Sequence, residues 1–183
     1  MKFDFKNGGY FESVIDVNPN KGDFEASIKL RQLDIAGYHD FAAKYTNIGP
    51  FFGQTDFEID LEGNVNSLEQ TLASAALKLH NFELHDFDGQ RVLAAKQLNV
   101  IISEADQANN RIVIDTVALN EPYLYFELYD STNNIVEMIN HAMPQPDATE
   151  ELAIEVTETD STSTELYYAL NSFTITNGMV DIV

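Results

Sequence analysis

The strongest constraint in this chain is a β pattern that changes face in mid-strand. In IKLRQLDI, Ile28 and Leu30 share one parity and Leu33 and Ile35 the other. The same switch occurs in LKLHNFEL, from Leu77 and Leu79 to Phe82 and Leu84, and in YALNSFTI, from Tyr168 and Leu170 to Phe173 and Ile175. Side chains of a strand alternate faces with a period of two, so a switch of parity requires an extra residue or a kink. Three copies of one phrase predict related β units laid side by side, each carrying a strand through the same kink. Kinks repeated along a sheet make it curl. The expected fold is therefore mainly β with a minor helical part: a curved antiparallel sheet of repeated bulged strands with one or two short helices packed on it.

The remaining pattern fits that frame. Phe3 and Phe5 lead into a turn at Asn7-Gly8-Gly9, Tyr10 to Val17 resumes as a strand, and Asn18-Pro19-Asn20-Lys21-Gly22 closes a second hairpin. Phe24, Ala26, Ile28 and Leu30 alternate with Glu25, Ser27, Lys29 and Arg31, and Phe57, Ile59 and Leu61 alternate with Asp56, Glu58, Asp60 and Glu62. Each such strand has one buried and one wet face. Further strands are expected over 71–85, 92–103, 111–119, 123–129 and 166–176. Two helices are expected. One is a short segment from Gly37 to Tyr45. The other is capped by Asn133 or Asn134, with Glu137 in its first turn, an Ile135, Met138, Ile139 and Ala142 stripe, and a stop at Pro144. Residues 143–165, rich in Asp, Glu, Thr and Ser, read as an acidic loop or linker.

Composition removes whole classes of function. Ten basic against thirty acidic residues give a formal charge of −20. No Lys or Arg follows Arg111, and such a chain repels nucleic acid and anionic membrane surfaces. Cysteine is absent, which removes disulfides and thiol chemistry. No run approaches the roughly eighteen apolar residues of a membrane span. The opening MKFDFKNGG has no signal-peptide pattern, and NGMVDIV stops within a strand pattern, so the expectation is a segment of a longer chain.

Catalytic readings each lack a partner. His39, His80, His85 and His141 show no helical metal-pair spacing. His80 and His85 would share a face only if one residue between them were bulged. HDFDG, His85 to Gly89, lacks the rest of a calcium loop and fits a hairpin turn. No nucleophile elbow or phosphate loop is present. The expectation is a protein without catalytic, metal or cofactor residues.

The candidate functional surface is the apolar inner face formed by Phe24, Ile28, Leu30, Phe57, Ile59, Leu61, Leu77, Leu79, Leu98, Val100 and Ile102. These side chains would offer acyl chains a surface that water does not. They would equally serve an ordinary closed core, and a patch larger than a monomer normally exposes distinguishes the two. The Tyr123, Tyr125 and Tyr129 side chains allow a carbohydrate-binding platform or a central strand covered on both sides.

LKLHNFELHDFDGQRVLAAKQLNVIIS followed by RIVIDTVALNEPYLYFELYDSTNNIVEMI resembles the AsmA-like repeat of AsmA and TamB-type envelope proteins. The resemblance lies in the Leu84, Asp86 and Gly89 turn, the strand through Leu98, Val100 and Ile102, the Ile114-Asp115, Leu119 and Pro122 phrase, and Asn133-Asn134 before a helix. The stretches from FDFKNGGYFESV to FFGQTDFEIDLEGNVNSLEQ and the closing LNSFTITNGMVDIV are similar to what precedes and follows that repeat. The resemblance implies one AsmA-like β-rich segment over 1–183, with the clearest full repeat at 71–141 and the start of a further repeat at 166–183. It implies a periplasmic location as part of a membrane-anchored envelope protein, a role in outer-membrane biogenesis and phospholipid transport, and partners among phospholipid acyl chains and neighbouring repeats of the parent chain. The membrane anchor that the resemblance implies is expected outside this segment. A different expectation is a structural or protein-interaction module that assists outer-membrane protein assembly through exposed sheet edges.

Overall fold

A computed structural model describes residues 1–6, 8–44, 48–142 and 166–183. Strands dominate: β1 (Lys2–Asp4), β2 (Tyr10–Val17), β3 (Asp23–Asp34), β4 (Phe51–Asn64), β5 (Leu72–His85), β6 (Arg91–Asp106), β7 (Arg111–Phe126), β8 (Tyr167–Thr176) and β9 (Met179–Ile182). They form one curved, open sheet in the order β1-β2-β3-β4-β5-β6-β7-β8, with β9 also on β7. From β1 to β7 the sheet is an antiparallel meander built from hairpins. Side-chain carboxylates and amides close its turns: Asn18 accepts from the amides of Asn20 and Lys21, Asp86 from those of Asp88 and Gln90, and Asp106 from that of Asn109.

The C-terminal edge departs from the expected antiparallel order. β8 and β9 pair with β7 in parallel, in one constant register from Arg111 opposite Tyr167 to Phe126 opposite Ile182. Alternation of apolar residues carries no information about strand direction, and the long connection from 127 to 166 can return the chain to the starting end. β7 also differs from expectation. It runs unbroken through Pro122, and Leu128 and Tyr129 lie beyond its end.

The helices are small. Ala36–Tyr38 is a 3-10 turn, and α1 (His39–Ala42) is a single turn, shorter than the expected Gly37 to Tyr45. α2 (Asn134–Ala142) is capped by Asn133, whose Oδ1 accepts from the Val136 amide at 3.0 Å. Asn134 instead ties the helix to the sheet, donating to the Tyr125 carbonyl and accepting from the Glu127 amide. Ile135 and Met138 are half-buried, while Ile139 of the expected stripe is exposed. The acidic 143–165 stretch lies outside the described residues.

The parity breaks have a common physical form. Gln32 and Asn81, at the same position of the first two phrases, take left-handed φ values of 53° and 49°. Each supplies the extra residue: Leu30 faces Phe57 but Leu33 faces Thr55, and His80 faces Gln54 but Glu83 faces Phe52. The register from β5 to β6 and from β6 to β7 stays constant across this level, which places Asn81, Lys96 and Glu121 side by side. Glu121 is also left-handed, at 49°, as is Asn177 at 55° between β8 and β9. The result is a crease across the sheet. Gly9 abuts it so closely that a Cβ there would lie 2.4 Å from the Arg31 carbonyl oxygen. The third phrase breaks differently. β7 gains a residue against β6 at Asp115, and β8 follows β7 without any shift, so Leu170 and Phe173 stay on the face of Ile114 and Val117.

Candidate functional site

The crease keeps one face apolar along the full length of every long strand. Without the extra residue at Asn81, Phe82 and Leu84 would turn away from Leu77 and Leu79. With it, all four face the same side. A single row of directly opposed residues then crosses eight strands: Phe3, Phe11, Leu30, Phe57, Leu77, Val100, Val117 and Phe173. Ile28, Ile59, Ala75, Ile102, Ile114 and Leu170 form the next row. On the other side run Leu33, Thr55, Leu79, Leu98, Leu119 and Ile175. Thr55 is the one hydroxyl among them, and its Oγ1 donates to the Lys78 carbonyl at 3.2 Å. The register thus gathers Phe24, Ile28, Leu30, Phe57, Ile59, Leu61, Leu77, Leu79, Leu98, Val100 and Ile102 on this face.

Across the end of the face runs a row with smaller side chains. Leu61, Ala73, Ala105 and Ile112 stand opposite one another, and the two alanines leave a hollow between the larger residues. Asp106, Asn110 and Arg111 border it. The Arg111 guanidinium pairs with Glu104 at 2.9 Å and lies over the Tyr167 ring, while hydrogen bonds from Asn109 hold the Asp106 carboxyl below its usual range.

Burial shows how little of this surface is covered. Among the described residues the buried apolar side chains are Val92, Ala95 and Val113, exposed at 1%, 7% and 8%. Val92 points away from the apolar rows and lies beneath α2 and the β5–β6 turn, beside Phe87 and Met138. The large apolar residues that these rows carry on β4 to β7 are half-buried by their neighbours within the sheet, and those on β8 are exposed: Leu170 at 51% and Phe173 at 58%. A covering second layer would bring such rows to full burial, as in a sandwich. None of the described elements forms one.

On the opposite face several charged side chains pair with one another, while the buried Asn99 Oδ1 has no hydrogen-bond partner among the described residues. Glu58 accepts from Lys29 at 2.7 Å and from Arg31, and both bonds hold its carboxyl below the usual carboxylate range. The same carboxylate raises the Lys29 ammonium above its usual value. The Asn81 bulge does place His80 and His85 on this one face, but each meets its own acid, Asp56 at 3.4 Å and Glu83 at 3.1 Å. The tyrosines are similarly engaged. Tyr123 lies under the Arg91 guanidinium and donates to Asp181 at 2.9 Å, and Tyr125 donates to Glu127 at 3.1 Å. Tyr129 lies beyond the end of the strand, and its hydroxyl donates to the same Glu127 carboxylate at 3.4 Å.

The additional copies of the kink phrase escape a search for large apolar residues. On β6 the phrase reads Leu93, Ala95, Leu98, Val100, and on β7 Val117, Leu119, Pro122, Leu124. Alanine and proline hide them. Among the described residues there is no group of three or more metal-ligating side chains and no helix long and apolar enough to cross a membrane. Compared with models of known protein families, with curated proteins and with solved structures, the chain matches none.

Proposed function

We propose that this chain is an internal, non-enzymatic segment of an AsmA-like envelope protein, and that its sheet contributes a length of apolar wall to a periplasmic groove for phospholipid acyl chains, in the service of outer-membrane biogenesis. The observation that carries this reading is the uncovered apolar face: rows of Leu, Ile, Val and Phe across eight strands, with three apolar side chains buried among the described residues. An exposed apolar surface of this extent marks a binding surface in a folded protein. Its mechanism is passive. Each methylene of an acyl chain that leaves water for such a surface gains about 0.8 kcal/mol, with no directional demand, so a chain can slide along the rows. Any transport belongs to the parent protein, to which this segment adds a stretch of wall.

The test is native mass spectrometry of the segment purified from bacteria, with organic extraction in parallel. Co-purified phospholipid, absent from a similarly acidic control protein, supports the reading. A clean mass, together with failure to take up added lipid, overturns it.

A second reading is favoured by the C-terminal edge. β8 and β9 present an outer ladder as long as β7 with Asp181 its only charge, whereas natural sheets blunt their edges with lysine, proline or short strands. Such an edge can template a further strand, from the next repeat or from an assembling outer-membrane protein. Protection of the β8 amides from hydrogen exchange by an added extended peptide would support it.

A further inference from the structure

Independently of the apolar face, we propose that the crease, where it meets the face opposite the apolar rows, carries a groove that binds an uncharged oligosaccharide. Asn81, Lys96, Glu121 and Asn177 stand in one row across β5, β6, β7 and the junction of β8 and β9. Two residues away along each strand, Glu83, Ala94, Tyr123 and Met179 stand directly opposite one another. Ala94 has no bulk to fill the space between Glu83 and Tyr123, and the two rows frame a groove of about 510 Å3. That volume falls within the roughly 300–1,000 Å3 of small-molecule sites.

The chemistry of the lining selects the ligand. Arg91 pairs with Glu83 at 3.6 Å and Lys96 with Glu121 at 2.8 Å, so the groove's bases and acids cancel in a chain of formal charge −20. Neither a cation nor an anion gains from a lining so balanced. These four side chains are 40% to 59% exposed, which leaves their donors and acceptors within a ligand's reach. The Asn81 and Asn177 amides, at the two ends of the crease row, hold no side-chain hydrogen bond to another described residue. Each presents two N–H donors and a carbonyl acceptor, and sugar hydroxyls, which both donate and accept, match such a mixed row. The Tyr123 ring is fixed by the Arg91 guanidinium 4.3 Å over it and by its bond to Asp181, and gives the C–H face of a pyranose a flat apolar body to pack on. An extended peptide fits less well. The strands of the floor, β5, β6 and β7, are paired on both sides and leave no free ladder for it to join.

The experiment titrates the isotope-labelled chain with maltotriose, cellotriose and chitotriose, and with trigalacturonate as a charged control, while NMR follows the backbone amides. The expected result is saturable shifts clustered around Asn81, Lys96, Glu121 and Asn177 with at least one neutral trisaccharide, and several-fold weaker binding of trigalacturonate. Asn81→Gly with Asn177→Gly removes both amides and keeps residues that accept the left-handed φ values of 49° and 55°. That variant should bind the sugar several-fold more weakly with no loss in its urea midpoint. Ala94→Leu, which fills the floor of the groove, should abolish the shifts. Absence of saturable shifts with all three neutral sugars, or shifts that cluster away from the crease, overturns the proposal. Equal binding of trigalacturonate, or an unchanged affinity in the double glycine variant, overturns it as well.

Discussion

The row Lys29, Glu58 and Ala76 runs beside the row Leu30, Phe57 and Leu77, on the same three strands and on opposite faces of one sheet. In the first, every charge has a partner: Glu58 draws in both Lys29 and Arg31. In the second, the side chains meet only their in-sheet neighbours and stay half-buried. Polar groups complete their interactions locally or with water, but apolar groups complete theirs only by finding a second layer. A nine-stranded sheet with one finished and one unfinished face is thus a fold that anticipates something laid against it, and substitutions on the two faces should behave differently.

Charge introduced into the unfinished face gives the largest difference. Phe57→Asp with Ile59→Asp should abolish lipid capture and lower stability by about 2–4 kcal/mol, since two carboxylates would lie among half-buried apolar side chains. Ser27→Lys, opposite Asp60 on the finished face, should change stability by less than about 0.5 kcal/mol. Urea unfolding followed by circular dichroism measures both, and far-UV spectra establish that the double variant folds before its lipid adducts are counted. Equal, small losses would show that the two faces are not distinct.

Leu77→Ala sharpens the comparison. A leucine in a closed core loses roughly 3–5 kcal/mol on truncation, because a cavity forms around the missing atoms. On an open face only the transfer of part of a side chain is lost, about 1–2 kcal/mol. A lipid-free Leu77→Ala protein should fall in the lower range by urea unfolding, and a value in the upper range would mean that another layer covers this row.

Both faces were partly legible in the sequence, to different depths. The alternation of Ile28 and Leu30 with Lys29 and Arg31 suffices to assign faces within one strand, and the parity switches locate Gln32 and Asn81 to within a residue. The continuity of the face through β6 and β7 was not legible. Ala95 and Pro122 occupy positions where the pattern needs an apolar side chain without looking like one, and a proline inside an apparent strand argues for ending it. Pro122 is tolerated because it follows Glu121, whose left-handed backbone breaks the regular ladder there. The parallel course of β8 was beyond reach for a different reason: period two is the same whichever way a strand runs.

On the finished face, acid should reveal what Glu58 contributes. Its carboxyl is depressed from an ordinary 4.5 by bonds from Lys29 and Arg31, so the folded state holds the ionised form more strongly than the unfolded state does. That stabilisation is complete above the ordinary value and disappears as pH falls through the depressed one, below which both states are protonated. With the side chain about a quarter exposed, Glu58→Gln should cost about 1 kcal/mol or less near neutral pH and nothing in strong acid. Thermal unfolding of both proteins across the acid range would show two stability curves converging as pH drops below 4.5. Parallel curves would mean that the two cations do not hold this carboxylate in solution.

The smallest effect belongs to the crease, the device that keeps the two faces apart. Glu121 holds φ at 49° in the middle of β7, a conformation that disfavours a side chain and suits glycine, and its carboxylate meets Lys96 at the surface. Glu121→Gly should relieve the backbone while losing an exposed ion pair of a few tenths of a kcal/mol, for a net gain of about 0.5 kcal/mol. Ala118→Gly, three residues earlier in the same strand, has no left-handed backbone to relieve and should lose about 0.5–1 kcal/mol through chain entropy alone. The signs, read from paired urea midpoints, are the test. A gain at 121 with a loss at 118 would show that the left-handed residue is imposed by the requirement that Leu119 and Pro122 face the same side. A loss at both would show that Lys96 and Glu121 hold the crease together themselves.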